Sequence, residues 1–295
     1  MNIVLKIRSW NHRRLNRLRL KKMLARERHL GRFGAFAWAI CVRTAQGKFL
    51  LDPRDNFVSR HLMEQGAYGL SEIQLVKSLL DSTRARSVVV IGAHVGSLLV
   101  PISRMVEEIF AFEANPRTYD LLHKNILINE VTNVSLFNIA VAEKTGVLDF
   151  LASLDNSGGS KRMPKNKADA YFYDQPECIR VRSDLLDNVI PNKAIDLMFV
   201  DIEGSEFFAF QGGQETLRNT GVLVTEFIPH HLKNVAGKSV EQLWSLLGPH
   251  FSVMHVPKLE LTVSGTENIL EKLQYFYDTD QSFDNIVLTR DANPL

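Results

Sequence analysis

The sequence predicts an α/β protein built on a doubly wound, mostly parallel sheet, and three observations carry that reading. Short apolar runs such as Val88–Ile91 ("VVVI") and 194–200 ("AIDLMFV") have the composition of strands buried on both faces. Segments with apolar residues at helical spacing alternate with these runs. The first run also ends in a glycine loop, "GAHVG" at 92–96, where a strand commonly feeds a ligand-binding crossover.

A chain of 295 residues, 45% hydrophobic and 23% charged, is long enough for one such domain and excludes disordered and collagen-like classes. Cys41 and Cys178 match no metal-ligand spacing, which fits a reducing, cytoplasmic setting. Net charge is +2, but unevenly spread: residues 1–32 hold 11 Lys or Arg against one acid, Glu27, and the remainder holds 24 bases against 32 acids. The arm interleaves its bases with Trp10, Leu15, Leu18, Leu20, Met23 and Leu24. Such a basic amphipathic helix suits an anionic membrane surface at the inner face, nucleic acid phosphates, or docking on the body. The apolar run 33–42 is too short to span a bilayer, which takes ~20 residues, and the long charged leader argues against a signal peptide.

Three parts are expected: the arm (1–32), a β-hairpin and lead-in (33–70) turning around Ala45-Gln46-Gly47, and the main domain (71–295). In the main domain, "SEIQLVKSLLDS" reads as a helix with Ser71 as N-cap, followed by the strand at Val88–Ile91. "LLVPISRMV" is a helix that tolerates Pro101 only near its first turn. "EIFAF" is the second strand, and Asn115 and Pro116 open the second helix as cap and first residue. "VSLFNIAV" reads as the third strand with "VLDFLA" as its partner, and 155–177 as a long polar loop of the kind that is functional or mobile. "IRVRS", "AIDLMFV", a helix from Ser205 to about Leu217, "GVLVTEF", a helix 239–247, and the strands "FSVMHV" and "NIVLTR" complete the series.

Ligands of such sheets bind beyond the carboxyl ends of the strands, so the residues ending each strand are the chemical candidates. Gly92 and Gly96 allow a tight turn and close backbone approach, with Ala93 and His94 between them. Glu113, with Ala114 after it, stands 21 residues past Gly92, where an acid accepts hydrogen bonds from ribose hydroxyls. A nicotinamide dinucleotide and S-adenosylmethionine both satisfy this pattern. The loop is G-x-x-x-G, with His94 where the dinucleotide fingerprint has its second glycine.

From Gly47 to Glu226 the chain resembles the FkbM family of S-adenosylmethionine-dependent methyltransferases. The matching pieces are "GKFLLDPRD", "IGAHVG", "AFEANPRTYDLLHKNILIN", "NVSLFNIAVAEKTG", "NSGGS", "IDLMFVDIEGSEFFAFQGG" and "TLRNTGVLVTEF". The resemblance implies a Rossmann-like class I methyltransferase fold with S-adenosyl-L-methionine as cofactor. It implies that Gly92, Ala93, His94 and Gly96 pass the methionine part, that Glu113 holds the ribose, and that Asn138, Ala140 and Val141 lie near the adenine. It also implies that Asp201, Glu203 and Glu206 face the methyl-transfer site. The family loop opens with an Asp two residues before the first glycine, and here that position is Val90.

Methyl transfer to a hydroxyl needs alignment and a proton acceptor, so Asp201 is the first candidate for base, then Glu203, Glu226, and His230 or His231. No metal is expected, because no His or Cys accompanies Asp201, Glu203 and Glu226 at ligand spacing. Lys161, Arg162, Lys165 and Lys167 either clamp an anionic acceptor or form a solvated charge run. The expected activity is O-methylation of a hydroxyl on a sugar, glycolipid or small natural product. The alternatives are a nucleic acid methyltransferase using the arm, and a non-catalytic membrane-associated binding protein with a decayed cofactor site.

Overall fold

The computed structural model describes residues 36–190 and 192–290, so the basic arm lies outside the described residues. The described chain opens with a hairpin, β1 (Ile40–Thr44) and β2 (Gly47–Leu51), antiparallel and closed by Thr44 opposite Gly47. Buried Gln46 in its turn donates through Nε2 to the Tyr68 and Ser97 carbonyls, both at 2.8 Å, and accepts from the Tyr68 amide at 2.7 Å.

The free edge of β2 meets side chains where another strand would pair. Asn125 Oδ1 accepts from the Leu50 amide at 2.6 Å, and its Nδ2 donates to the Leu50 and Val95 carbonyls at 3.2 and 2.9 Å. Four residues on, Asn129 accepts from the Lys48 amide and donates to the Lys48 carbonyl. Two amides at i and i+4 on one helix face thus supply a strand's hydrogen bonds, and the first of them, Asn125, also grips the glycine loop.

The remaining strands are β3 (Ser87–Ile91), β4 (Glu108–Phe112), β5 (Val134–Phe137), β6 (Ala140–Val141), β7 (Gly146–Ala152), β8 (Lys161–Arg162), β9 (Glu177–Asp184), β10 (Ile195–Val200), β11 (Thr220–Phe227), β12 (Val253–Val256), β13 (Leu261–Ser264) and β14 (Phe283–Thr289). The main sheet runs β13-β12-β14-β11-β10-β3-β4-β5, with its five strands from β11 to β5 parallel and β14 inserted antiparallel between β11 and β12. Strand order reverses between β3 and β10, which opens a crevice at their carboxyl ends. Along β3 the pleat sends Val89 and Ile91 into one apolar layer with Phe112, Phe207 and Phe210. Val88 and Val90 enter the other, with Leu79, Leu80 and Phe49. This is the Rossmann-like α/β fold that the alternating pattern predicts.

The differences from the sequence reading have local causes. "VSLFNIAV" is two strands: the chain leaves the main sheet after Phe137, and β6 joins a separate sheet of order β6-β9-β7-β8. "VLDFLA" therefore pairs with β8 and β9, not with the third strand. The 155–177 segment holds β8 and two 3₁₀ turns. Ser71 lies inside the helix Leu70–Thr83, whose preceding residue Gly69 is left-handed with no side-chain cap. The helix expected from Ser205 breaks at Gly212-Gly213, where a Cβ on Gly212 would meet the Ala142 carbonyl at 2.0 Å. Elements not anticipated include the helices Val58–Gln65 and Thr266–Asp278, the short helical segments Leu186–Val189 and Pro229–His231 with the turn Leu232–Ala236, and β13. Among the described residues, no helix is long and apolar enough to cross a membrane.

Asn125 is fully buried and joins hairpin, helix and glycine loop through three backbone partners. Asn125→Ala should cost about 2–4 kcal/mol by leaving those groups unpaired. Chemical denaturation reads this as a lower midpoint at unchanged slope.

Candidate active site

A cavity of about 230 Å³ occupies the crevice at the carboxyl ends of β3, β4 and β10. Gly92, Ala93, His94, Glu113 and Ala114 form one wall and Asp201, Ile202 and Glu203 another. Tyr68, Glu72 and Ile73 close one side, and the second sheet and its loop cover the top through Leu148, Phe150, Asn156, Ser157 and Arg162.

Gly92 is required by close backbone approach: at φ +93°, a Cβ would sit 1.9 Å from the Asp201 carbonyl. Two non-glycine residues at the cavity also hold left-handed backbone, His94 at φ +50° and Glu203 at φ +57°. Such conformations persist where the surroundings over-determine them, and they cluster at functional sites.

Four of the five amides of the 92–96 loop are committed within the protein. Gly92 and Ala93 donate to the Phe112 carbonyl, Gly96 to Ala93, and His94 to Glu113 Oε2 at 3.0 Å. Glu113 Oε1 accepts from the Asn115 amide at 2.8 Å. Burial pushes the Glu113 carboxyl up to about 7, while the amides of Asn115, His94 and Ala114 pull it back toward ionisation. His94 Nε2 lies 2.7 Å from Ser157 Oγ, which donates to Asp55 Oδ2 at 2.5 Å.

At the other wall, the Asp201 carboxylate faces the cavity with no hydrogen-bond or ion-pair partner among the described residues. Asp201 is exposed to the open space of the cavity, but the walls around it desolvate it, and Glu203 and Glu206 add like charge, so its carboxyl is pushed above the ordinary range. Glu203 Oε2 pairs with Lys161 Nζ at 2.9 Å and lies 3.5 Å from His231 Nε2. Behind them Glu206 accepts from the Ile202 amide and Glu226 from the Gly204 amide, and the two carboxyls hydrogen-bond each other. Burial, and then neighbouring carboxylates, raise both well above the ordinary range. His231 Nδ1 is buried without a hydrogen bond, 3.6 Å from Glu226 Oε1.

Residues 91–254, from the end of β3 into β12, match the model of the methyltransferase FkbM domain, which is over half of the chain. The chain belongs to the FkbM methyltransferase family. It is 30% identical over 138 residues to the 2-O-methyltransferase NoeI of Sinorhizobium fredii (strain NBRC 101917 / NGR234), a match covering 42% of this chain and 55% of that one. The chain thus spans about half the length of the curated relative it matches. Solved structures that resemble it include the methyltransferase FkbM from Methylobacillus flagellatus KT (TM-score 0.40, 15% identity, 70% of this chain and 43% of that one). Another is M. jannaschii TYW2 in complex with AdoMet (TM-score 0.42, 14% identity, 86% of this chain and 87% of that one).

In this member of the FkbM family Gly92, Ala93, His94, Glu113, Ala114, Ala140, Val141, Arg162, Asp201 and Glu203 line the cavity, whereas Gly96, Asn138, Glu206, Glu226, His230 and His231 do not. Gly96 packs beneath the helix Pro116–Ile128, where a Cβ would press on Leu122. Asn138 Nδ2 staples the Glu113 and Ala114 carbonyls at 2.8 and 3.3 Å. Glu226 sits behind the wall. His230 is exposed outside the cavity, its Nδ1 at 2.7 Å from the Tyr171 hydroxyl, and His231 turns toward the acids instead. Val90 is a core residue, 1% exposed, in the layer covered by the helix Leu70–Thr83.

The basic run does not form a clamp on the cavity. Among the described residues Arg162 is the one Lys or Arg lining it, held bidentate by Glu143 at 2.7 and 2.9 Å and stacked over Phe208. Lys161 is taken by Glu203, and Lys165 and Lys167 are exposed away from the cavity. Among the described residues no group of His, Cys, Asp and Glu is arranged to hold a metal ion. Asp55, Tyr68, Glu72 and Ser157 escaped the sequence reading, although Asp55 before "NFVS" carries an N-capping signal.

Glu206 and Glu226 carry raised folded-state pKa values, so their contribution to stability is full below the unfolded-state carboxyl range and is lost as pH rises through the folded values. Glu226→Gln removes one of the two acids. Its melting temperature should fall less between pH 5 and 8 than that of the wild type, by about 2–4 °C for a 1 kcal/mol difference. Scanning calorimetry across that range measures the contrast.

Proposed function

We propose that this methyltransferase takes its methyl group from S-adenosylmethionine and places it on a hydroxyl of a sugar or sugar-bearing acceptor. One observation carries the reading: Asp201 presents an uncommitted carboxylate to the cavity, beside a glycine loop and opposite Glu113.

The residues present suit the cofactor. Glu113 accepts the His94 amide on one oxygen and the Asn115 amide on the other, with the Ala114 amide also bearing on the carboxyl, and still has acceptor capacity for ribose hydroxyls. Phe112, Ile139, Val141, Leu148 and Phe150 provide apolar walls for an adenine ring. When bound, S-adenosylmethionine supplies an electrophilic methyl on a sulfonium.

The protein's own part is to orient the acceptor, exclude water and take its proton. Asp201 is placed to accept that proton, and its raised pKa matches the task better than an ordinary carboxylate would. Glu203, neutralised by Lys161, fixes the turn after Asp201 and orients the acceptor. Phe57 and Tyr68, ring centroids 6.3 Å apart at the cavity rim, offer aromatic faces suited to a sugar ring. The printed name of the curated relative, a 2-O-methyltransferase, supports oxygen as the atom methylated.

Incubation with methyl-labelled S-adenosylmethionine and a panel of oligosaccharides and cell extracts should label a glycan-type product. Asp201→Asn should lower turnover about 10²–10⁴-fold. Because Asp201 acts deprotonated and its pKa is raised, wild-type turnover should climb with pH above the ordinary carboxylate range, and the variant should lack that limb. No labelled product, or an Asp201→Asn enzyme at the wild-type rate, contradicts the assignment.

A further inference from the structure

Most of the glycine loop's own amides are committed, which leaves the Ser97 and Leu98 amides at the following turn as the backbone donors lining the cavity. The amides of Gly92, Ala93, His94 and Gly96 all have protein acceptors. The cavity is lined by the carboxylates of Glu72, Glu113, Asp201 and Glu203, and among the described residues its single Lys or Arg, Arg162, is bound to Glu143. A ligand carboxylate entering here meets one side chain able to become cationic, His94.

His94 is held for that role by residues distant in sequence. The one proton of the Ser157 hydroxyl goes to Asp55 Oδ2, so Ser157 Oγ must accept from His94, and Nε2 carries the imidazole proton. Nδ1 then presents a lone pair, and no described residue bonds it. Asp55 is 1% exposed and fixed: Oδ1 accepts from the amides of Phe57 and Val58, and Oδ2 from the amide and hydroxyl of Ser59. Desolvation pushes the imidazole toward its neutral form, while Asp55 pulls toward the charged form.

We infer that His94 takes up a proton from solvent at Nδ1 as the cofactor binds and holds the carboxylate of its methionine, with Ser157 and Asp55 as positioning residues. A neutral ring with Nδ1 unprotonated would repel that carboxylate, so binding and protonation are linked. The imidazolium gains the ligand carboxylate on one side and, one hydroxyl away, buried Asp55 on the other. Glu113, reached through the His94 amide, and the acids Glu72, Asp201 and Glu203 across the cavity also favour the cation; Arg162 is neutralised. The Ser157 contact further ties the loop over the cavity to the ligand's arrival. This inference rests on the S-adenosyl cofactor proposed above.

Titration calorimetry in buffers of different ionisation enthalpy, near pH 7.5, tests it on two ligands. S-adenosylhomocysteine has the amino-acid head and 5′-methylthioadenosine lacks it, so their difference isolates the head. The wild type should take up about one more proton with S-adenosylhomocysteine than with 5′-methylthioadenosine. His94→Gln should abolish that excess. Ser157→Ala should reduce it and weaken S-adenosylhomocysteine roughly tenfold while leaving 5′-methylthioadenosine unchanged. Equal proton uptake for the two ligands in the wild type, or an undiminished excess in both variants, overturns the inference. If neither ligand binds, the S-adenosyl reading itself fails.

Discussion

The cavity depends on one buried carboxylate. Glu113, at the end of β4, accepts the amide of His94 on one oxygen and the amide of Asn115 on the other, and its own carbonyl is held by Asn138 beyond β5. Three consecutive strand ends are thereby laced together around a group 8% exposed. The same bonds that fix the loops favour the ionised form against the burial that opposes it. The group proposed to hold the ribose is therefore preorganised by the fold, because its geometry is set before any ligand arrives.

The opposite wall is built by a different constraint. Gly92 and the Asp201 carbonyl approach so closely that no side chain fits between β3 and β10 at this point, and the Asp201 carboxylate lines the crevice beside them. The acids behind it divide in two. Glu203 is neutralised by Lys161, whereas Glu206 and Glu226 share a hydrogen bond in a water-poor region. That leaves Asp201 as the acid on this wall with neither a cation nor a hydrogen-bond donor. The second sheet supplies the cover, and through Ser157 it touches the glycine loop itself.

What could be read from the sequence was what is encoded over short distances. The apolar runs marked β3, β4, β10 and β11 because strands buried on both faces leave no polar alternation to misread. Asn115-Pro116 marked a helix start, and Asn115 does accept the Arg117 amide there. Asp201 and Glu113 followed from their places at strand ends. The split of "VSLFNIAV" was not legible, because β6 is defined by pairing with β9, some 40 residues later. Ser157 lies 63 residues from His94 and 102 from Asp55, so no local pattern announced that network. His230 and His231 were indistinguishable as neighbours until the backbone turned one toward Tyr171 and the other toward Glu203. The Val90 substitution proved to be a core-packing residue, with its side chain among the leucines of the covering helix.

The claim on which the rest stands is that this crevice is an S-adenosyl site and not a dinucleotide site. Titration of the full chain with S-adenosylmethionine and, separately, with NAD measures it most directly. An S-adenosyl site should bind one S-adenosylmethionine per chain saturably and give no heat of binding with NAD. Binding of NAD in its place, or of neither, would contradict the claim.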